Sequence, residues 1–179
     1  GAPQGTLKLR LPEPRHGADE WAALEAGARH TLTNQSPDPA RDMILSEENL
    51  PGRMIHFFSG KFYPAAPKRM GVLQRALPGP LRHVLFVLRP YDQMFLSAYR
   101  QQAAVKKMRD FDEYREAFLN MQGGWADLVK TLRDGLRADR LTILDYAQRG
   151  QSSELLARLL PDEGDWEEQQ ASGSGTFIF

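Results

Sequence analysis

Cysteine is absent from this 179-residue chain. Its absence excludes disulfides, thiolate zinc sites and cysteine nucleophiles together. An excess charge of either sign is also missing: 23 basic and 23 acidic side chains give a formal net charge of zero, so the usual electrostatic footprint of a nucleic-acid binder is not there. The four histidines, His16, His30, His56 and His83, show no ligand spacing such as HxxxH, and no metal site is expected. No apolar run approaches the about 20 residues that span a bilayer. The opening GAPQG carries neither a basic n-region nor an apolar h-region, so no signal peptide and no membrane partner are expected, and the cytoplasm is the expected compartment.

What remains is ordinary globular material, with 41% hydrophobic and 26% charged residues, enough for one well-buried domain. Residues 1–160 read as that domain and 161–179 as an acidic, then Gly/Ser-rich tail. Along the domain, TLKLRL (6–11) alternates as a half-buried strand would. From Asp19, a candidate N-cap, Trp21, Leu24, Ala28 and Leu32 recur at helical spacing. MILS (43–46) is a short apolar run that ends in polar SEEN and predicts a buried strand. Residues 49–68, rich in Gly, Pro and aromatics, predict a long loop, a lid or a binding loop.

PKRMGVLQRAL then predicts a helix with Met70, Leu73 and Leu77 inward. HVLFVLR (83–89) is the strongest strand signal, nearly continuous in apolar character, as in a parallel strand covered on both faces. Pro90 suits the first turn of a helix running to Val105, with Met94, Phe95, Ala98, Tyr99 and Val105 on its apolar side. Asp110 and Glu113 have capping-box spacing. Trp125, Leu128, Val129, Leu132 and Leu136 form a second stripe. LTILDY (141–146) predicts a strand, and SSELLARLL a last helix ended by Pro161.

Strands alternating with helices predict an α/β fold: an open, mostly parallel sheet in three layers, with helices on both faces. Ligands of such sheets bind beyond the carboxyl ends of the strands. Three polar clusters then share one edge, Ser46–Asn49, Arg89–Asp92 and Asp145–Tyr146.

In order and spacing, ILSEENLPG, YPAAPKRMGVL, HVLFVLRPYDQMFLSAYRQ and WADLVKTLRDGLRADRLTILDYA resemble bacterial sulfotransferase-like proteins of the P-loop nucleotide-binding superfamily. The resemblance covers most of residues 20–160. Its most specific part is Arg-Pro-x6-Ser-x-Tyr directly after the apolar strand. It implies that Arg89 and Ser97 bind the 3′-phosphate of 3′-phosphoadenosine 5′-phosphosulfate (PAPS), the sulfuryl donor, and that the second partner is a hydroxyl acceptor. A planar guanidinium suits that role, because it clamps phosphate through two charge-assisted hydrogen bonds.

The chain also departs from that pattern. Members of the family begin with a strand, a loop with Lys-[Ser/Thr]-Gly-[Ser/Thr], and a helix. None of Lys8, Lys61, Lys68, Lys106, Lys107 and Lys130 begins such a motif. SGT at 174–176 lacks the lysine and room for a following helix, and GDW at 164–166 lacks the basic residues that should precede it. Three readings stay open: a sulfotransferase-like enzyme using PAPS, a non-catalytic nucleotide-binding or interaction module on the same scaffold, and a natural protein longer than this chain that carries the first strand and loop. Glu47, with Glu48 beside it, is the candidate general base on an acceptor hydroxyl, and His56 and His30 could take the same role. Arg89 could instead cap the sheet edge or pair with Asp92. Tyr99 and Trp125 read as core, and Arg100, Lys106 and Lys107 as a solvated helix face.

Overall fold

The two most apolar runs pair with each other. In the computed structural model, which describes residues 5–6, 9–35, 43–161 and 177–178, His83–Leu88 and Arg140–Asp145 form a parallel two-stranded sheet with His83 opposite Arg140 and Leu88 opposite Asp145. Numbered along the chain, the elements are β1 (Gly5–Thr6), α1 (Ala18–Gln35), α2 (Ala66–Ala76), β2 (His83–Leu88), α3 (Tyr91–Ala103), α4 (Arg115–Leu119), α5 (Trp125–Leu136), β3 (Arg140–Asp145), α6 (Ser152–Leu159) and β4 (Phe177–Ile178). Short 3-10 segments lie at Met54–Ser59, Phe111–Tyr114 and Tyr146–Gln148. The protein is therefore a mixed α/β structure with a small parallel sheet. None of the helices among the described residues is long and apolar enough to cross a membrane.

Alternation along β2 sends its side chains to two different environments. Val84 and Phe86, with Leu141 from β3, pack against the main core. His83 faces the other way, toward α6: its Nδ1 lies 2.9 Å from the Leu159 carbonyl and its Nε2 2.8 Å from the Thr142 hydroxyl. A carbonyl only accepts, so Nδ1 carries a proton there. Every residue of β2 is nevertheless half-buried rather than fully buried, because a two-stranded sheet leaves each strand one unpaired edge.

The core is mostly helical. Leu32 of α1, Met70 and Leu73 of α2, Met94 and Ala98 of α3, and Leu128, Leu132 and Leu136 of α5 are all buried in one cluster. The stripes predicted for α2, α3 and α5 supply most of these residues. Two end positions differ: α3 stops at Ala103, and Val105 lies beyond it, 78% exposed. At the start of α1 the cap is not Asp19. The helix begins at Ala18, and Glu20 reaches back to accept from the Gly17 N–H at 2.9 Å. The Asp110–Glu113 capping box forms as its spacing predicts.

Two expected strands do not form. Residues 43–46 contribute a single bridge at Leu45 and then turn at 48–51. The apolar character of the run is still used, since Met43 and Leu45 pack against the core. The ladder ends because the Asn49 N–H takes the Glu47 carboxylate at 2.8 Å and the Gly52 N–H closes onto the Asn49 carbonyl. For 6–11, Thr6 belongs to β1, which pairs antiparallel with β4, residues 7–8 lie outside the described residues, and residues 9–13 are irregular. Leu11 and Pro12 are buried there, and their carbonyls are satisfied by the side chain of Arg69 instead of a neighbouring strand. Among the described residues the parallel sheet thus has two strands, where at least three were expected. Residues 162–176, with GDW and SGT, lie outside the described residues.

The segment 49–68 is a loop only in part, since it holds a 3-10 segment and the first residues of α2. It folds as the 3-10 segment Met54–Ser59, whose Phe57 is completely buried. Gly60 ends that segment at φ 70, a left-handed conformation that suits glycine. The chain is then tied to residue 122 by the Phe62 N–H to the Gln122 carbonyl at 3.0 Å and the Gln122 N–H to the Gly60 carbonyl at 2.8 Å. Phe57 and Phe62 stack nearly parallel, Tyr63 meets Phe57 edge-on, and Trp125 lies edge-on to Phe62 and tilted against Tyr63. So many aromatics in so short a stretch fold inward because their burial outweighs the cost of a loop path.

Candidate functional site

Parallel pairing puts the carboxyl ends of β2 and β3 side by side, with Leu88 opposite Asp145. The next residue on each chain is therefore a neighbour of the other. The Arg89 guanidinium lies over the Tyr146 ring, 4.5 Å from its centroid, a cation–π geometry. From the helix that follows, Ser97 Oγ accepts from Arg89 Nη1 at 3.2 Å. The eight-residue separation works because Pro90 turns the chain into α3, and two helical turns bring position 97 back above the strand end. Arg89 and Ser97 are both partly buried.

The main chain around Arg89 is pinned. The Trp125 indole N–H donates to the Arg89 carbonyl at 3.0 Å, and the Trp125 backbone N–H donates to the Tyr91 hydroxyl at 2.9 Å. Trp125, expected as core, thus packs against Phe62 and Phe86 and also holds the mouth of β2. A second guanidinium is close: Arg149 lies 5.7 Å from the Tyr146 ring centroid.

The carboxylates nearby are turned elsewhere. Asp145 Oδ1 accepts from the Ala147 N–H at 2.7 Å and starts the 3-10 turn. Asp92 stands exposed in the first turn of α3, where a negative charge suits the helix N-terminus. Among the described residues no carboxylate forms an ion pair with Arg89 or Arg149. Arg89 carries five side-chain N–H donors, and among the described residues its guanidinium bonds one partner, a neutral hydroxyl. A half-buried guanidinium in that condition has donors available for an anionic acceptor.

Glu47 and Glu48 reach different surroundings. The half-buried Glu47 bonds the Asn49 N–H, and its charge bears on Arg69. The exposed Glu48 bears on Tyr63, so it is the carboxylate whose field overlaps that of Arg89. His56 lies 3.7 Å from Glu13, and His30 lies 2.9 Å from Asn34 on exposed α1; neither touches the Arg89 site. No cluster of three or more histidine or acidic side chains able to hold a metal occurs among the described residues.

Two residues of importance here were not visible as such in the sequence. Tyr63 adopts φ 44, a left-handed conformation unusual for a non-glycine residue. Burial pushes its phenol up to about 12; the Glu48 charge acts in the same direction and Arg89 opposes it. Arg69 of α2 is 5% exposed. It donates to the carbonyls of Leu50 at 2.8 Å, Asn49 at 2.7 Å, Pro12 at 3.0 Å and Leu11 at 3.4 Å, and pairs with Glu13 at 3.2 Å. Burial lowers its pKa, opposed by the charges of Glu13 and Glu47. No sequence pattern signals the backbone of Tyr63, since a residue before proline is ordinarily extended.

Beside the start of α3 runs a groove of about 560 Å3, floored by Phe95, Phe111 and Phe118 and edged by Tyr91, Leu96 and Leu119. Compared with family models, with curated proteins and with solved structures, the chain matches none.

Proposed function

We propose that the protein binds a phosphorylated adenosine nucleotide at the ends of β2 and β3, with Arg89 and Ser97 holding a terminal phosphate, on a sulfotransferase-like scaffold of the P-loop superfamily. The observation that carries this is the half-buried Arg89, bonded to Ser97 and stacked on Tyr146 without a carboxylate partner among the described residues. The nucleotide that suits this reading is PAPS or its product, adenosine 3′,5′-bisphosphate, with the 3′-phosphate on Arg89.

Sulfuryl transfer to a hydroxyl is the second reading, and Arg149 is the observation that favours it. Transfer breaks the bond between sulfur and the bridging oxygen, and charge grows on that oxygen as the acceptor oxygen bonds to sulfur. A second guanidinium would offset that charge in place of the absent loop lysine. Glu47 or Glu48 would take the acceptor proton, and the apolar groove beside Tyr91 would hold the acceptor.

Calorimetric titration separates these possibilities. Adenosine 3′,5′-bisphosphate should bind about ten- to a hundredfold more tightly than adenosine 5′-monophosphate, the worth of a charge-assisted phosphate contact. Arg89→Ala should abolish the preference and Ser97→Ala should reduce it by less. Equal or absent binding of both nucleotides to the wild type overturns the proposal. Sulfate turnover from PAPS, lost in Arg149→Ala, would establish the second reading.

A further inference from the structure

Two guanidinium groups meet on one ring, and the backbone explains how. Parallel register puts Leu88 opposite Asp145, so Arg89 and Tyr146, which follow them, are neighbours, and the Arg89 guanidinium lies 4.5 Å from the Tyr146 ring centroid. From Tyr146 the chain makes a 3-10 turn to Gln148, closed by the Arg149 N–H donating to the Tyr146 carbonyl at 3.2 Å. Residues three apart on such a turn share a face. The Arg149 guanidinium accordingly stands 5.7 Å from the same ring. The two guanidinium carbons are therefore at most about 10 Å apart, the sum of those distances.

Among the described residues nothing neutralises this pair. Asp145 turns its Oδ1 to the Ala147 N–H at 2.7 Å. Glu154 of α6 lies against Gly150, where an added Cβ would run into its carboxylate, and it pairs with neither arginine. Arg89 donates to Ser97 Oγ, while the Arg149 side chain has the Tyr146 ring as its one contact of this kind. Both arginines are half-buried. A guanidinium stacked on a ring keeps its N–H edge free for an oxyanion, so two separate anionic groups can be held here at once.

We propose that Arg149 is a second phosphate-binding residue: with the 3′-phosphate on Arg89 and Ser97, it binds the 5′-phosphate of the same nucleotide. The preferred ligand is then an adenosine bisphosphate, whose two phosphates are separated by one ribose, and not a monophosphate. This deepens the nucleotide-binding proposal and rests on it. It concerns the bound ground state and needs no sulfuryl transfer.

The test titrates adenosine 3′,5′-bisphosphate and adenosine 3′-monophosphate into the wild type, Arg89→Ala and Arg149→Ala by calorimetry. The wild type should bind the bisphosphate about tenfold more tightly, the effect of one charge-assisted phosphate contact. Arg149→Ala should remove that preference and leave the affinity for the 3′-monophosphate unchanged, which also shows that the site is still folded. Arg89→Ala should weaken both ligands. With 15N-labelled arginine, the Arg149 Nε resonance should shift with the bisphosphate and not with the 3′-monophosphate, and that of Arg89 with both. If Arg89→Ala loses binding while Arg149→Ala keeps the wild-type preference and the Arg149 resonance stays still, this proposal is overturned and the Arg89 site stands. Equal weakening of both ligands by Arg149→Ala overturns it too, because the residue then acts as general charge or structure. Failure of the wild type to bind either probe overturns both proposals.

Discussion

Replacing Arg69 by methionine tests what holds the irregular half of the fold together. Methionine keeps much of the apolar stem of arginine and leaves little cavity, so the loss is that of the guanidinium. In the protein this group bridges two stretches that have no strand of their own, Leu11–Glu13 and Asn49–Leu50. Without it, buried carbonyls lose their donors and the partly buried Glu13 loses its charge partner, keeping only His56 at 3.7 Å. Removing one side of a buried charged network costs about 3–5 kcal/mol. The Glu13 side chain is 19% exposed and can take up water, so the lower end, about 3 kcal/mol, is expected. That is a large fraction of the 5–15 kcal/mol typical of a domain. Urea unfolding at pH 7 followed by far-ultraviolet circular dichroism measures it, with Glu13→Gln as the milder companion at about 1 kcal/mol. A loss below 1 kcal/mol in Arg69→Met would mean that water replaces the guanidinium, and the clasp assigned to Arg69 would be refuted.

The raised Tyr63 phenol makes stability fall in alkali: between pH 10 and about 12 the unfolded chain has released this proton and the folded chain retains it. The fall is about 1.4 kcal/mol at pH 11. Urea midpoints of wild type and Tyr63→Phe at pH 9 and 11 should differ by that increment, and parallel behaviour would rule it out. Gly135 of α5 lies so close to α2 that an added Cβ would meet the Met70 Cβ at 2.7 Å. Gly135→Ala should therefore destabilise by about 1–2 kcal/mol, overpacking outweighing the better helix propensity. Gly27 of α1 has open space around its Cβ position, so Gly27→Ala should stabilise by up to about 1 kcal/mol. Thermal melts of the two variants should move in opposite directions, and the same sign for both would contradict the close α2–α5 contact.

What the sequence made legible was local or followed from a topological rule. HVLFVLR and LTILDY became paired strands because each is a long apolar run bounded by a break. The stripes of α3 and α5 became core because helical spacing fixes which residues share a face. The Arg89–Ser97 contact was legible too, since the spacing across a strand-to-helix turn sets it. MILS misled for a physical reason: three apolar residues in a row can bury themselves without a ladder. Here the carbonyls that follow the run are satisfied by an arginine 20 residues further on, which no local pattern encodes.

Arg69 and Tyr63 escaped notice for the same reason from opposite sides. A charged residue in an amphipathic helix reads as solvated, and Arg69 is buried only because two irregular segments far away in sequence bring their carbonyls to it. A tyrosine in an aromatic run reads as core, and Tyr63 differs in its left-handed backbone before Pro64 and in a phenol that burial raises. Periodicity identifies which face of an element is apolar, but it carries no information about a polar atom whose surroundings come from three different elements. The ends of β2 and β3, α3 and the start of α5 meet at Arg89. The residues that touch it, Ser97, Tyr146 and Trp125, come from three different pieces of chain. A site built that way is visible in sequence only through the one member that sits on a regular element next to a break, and Arg89 is that residue.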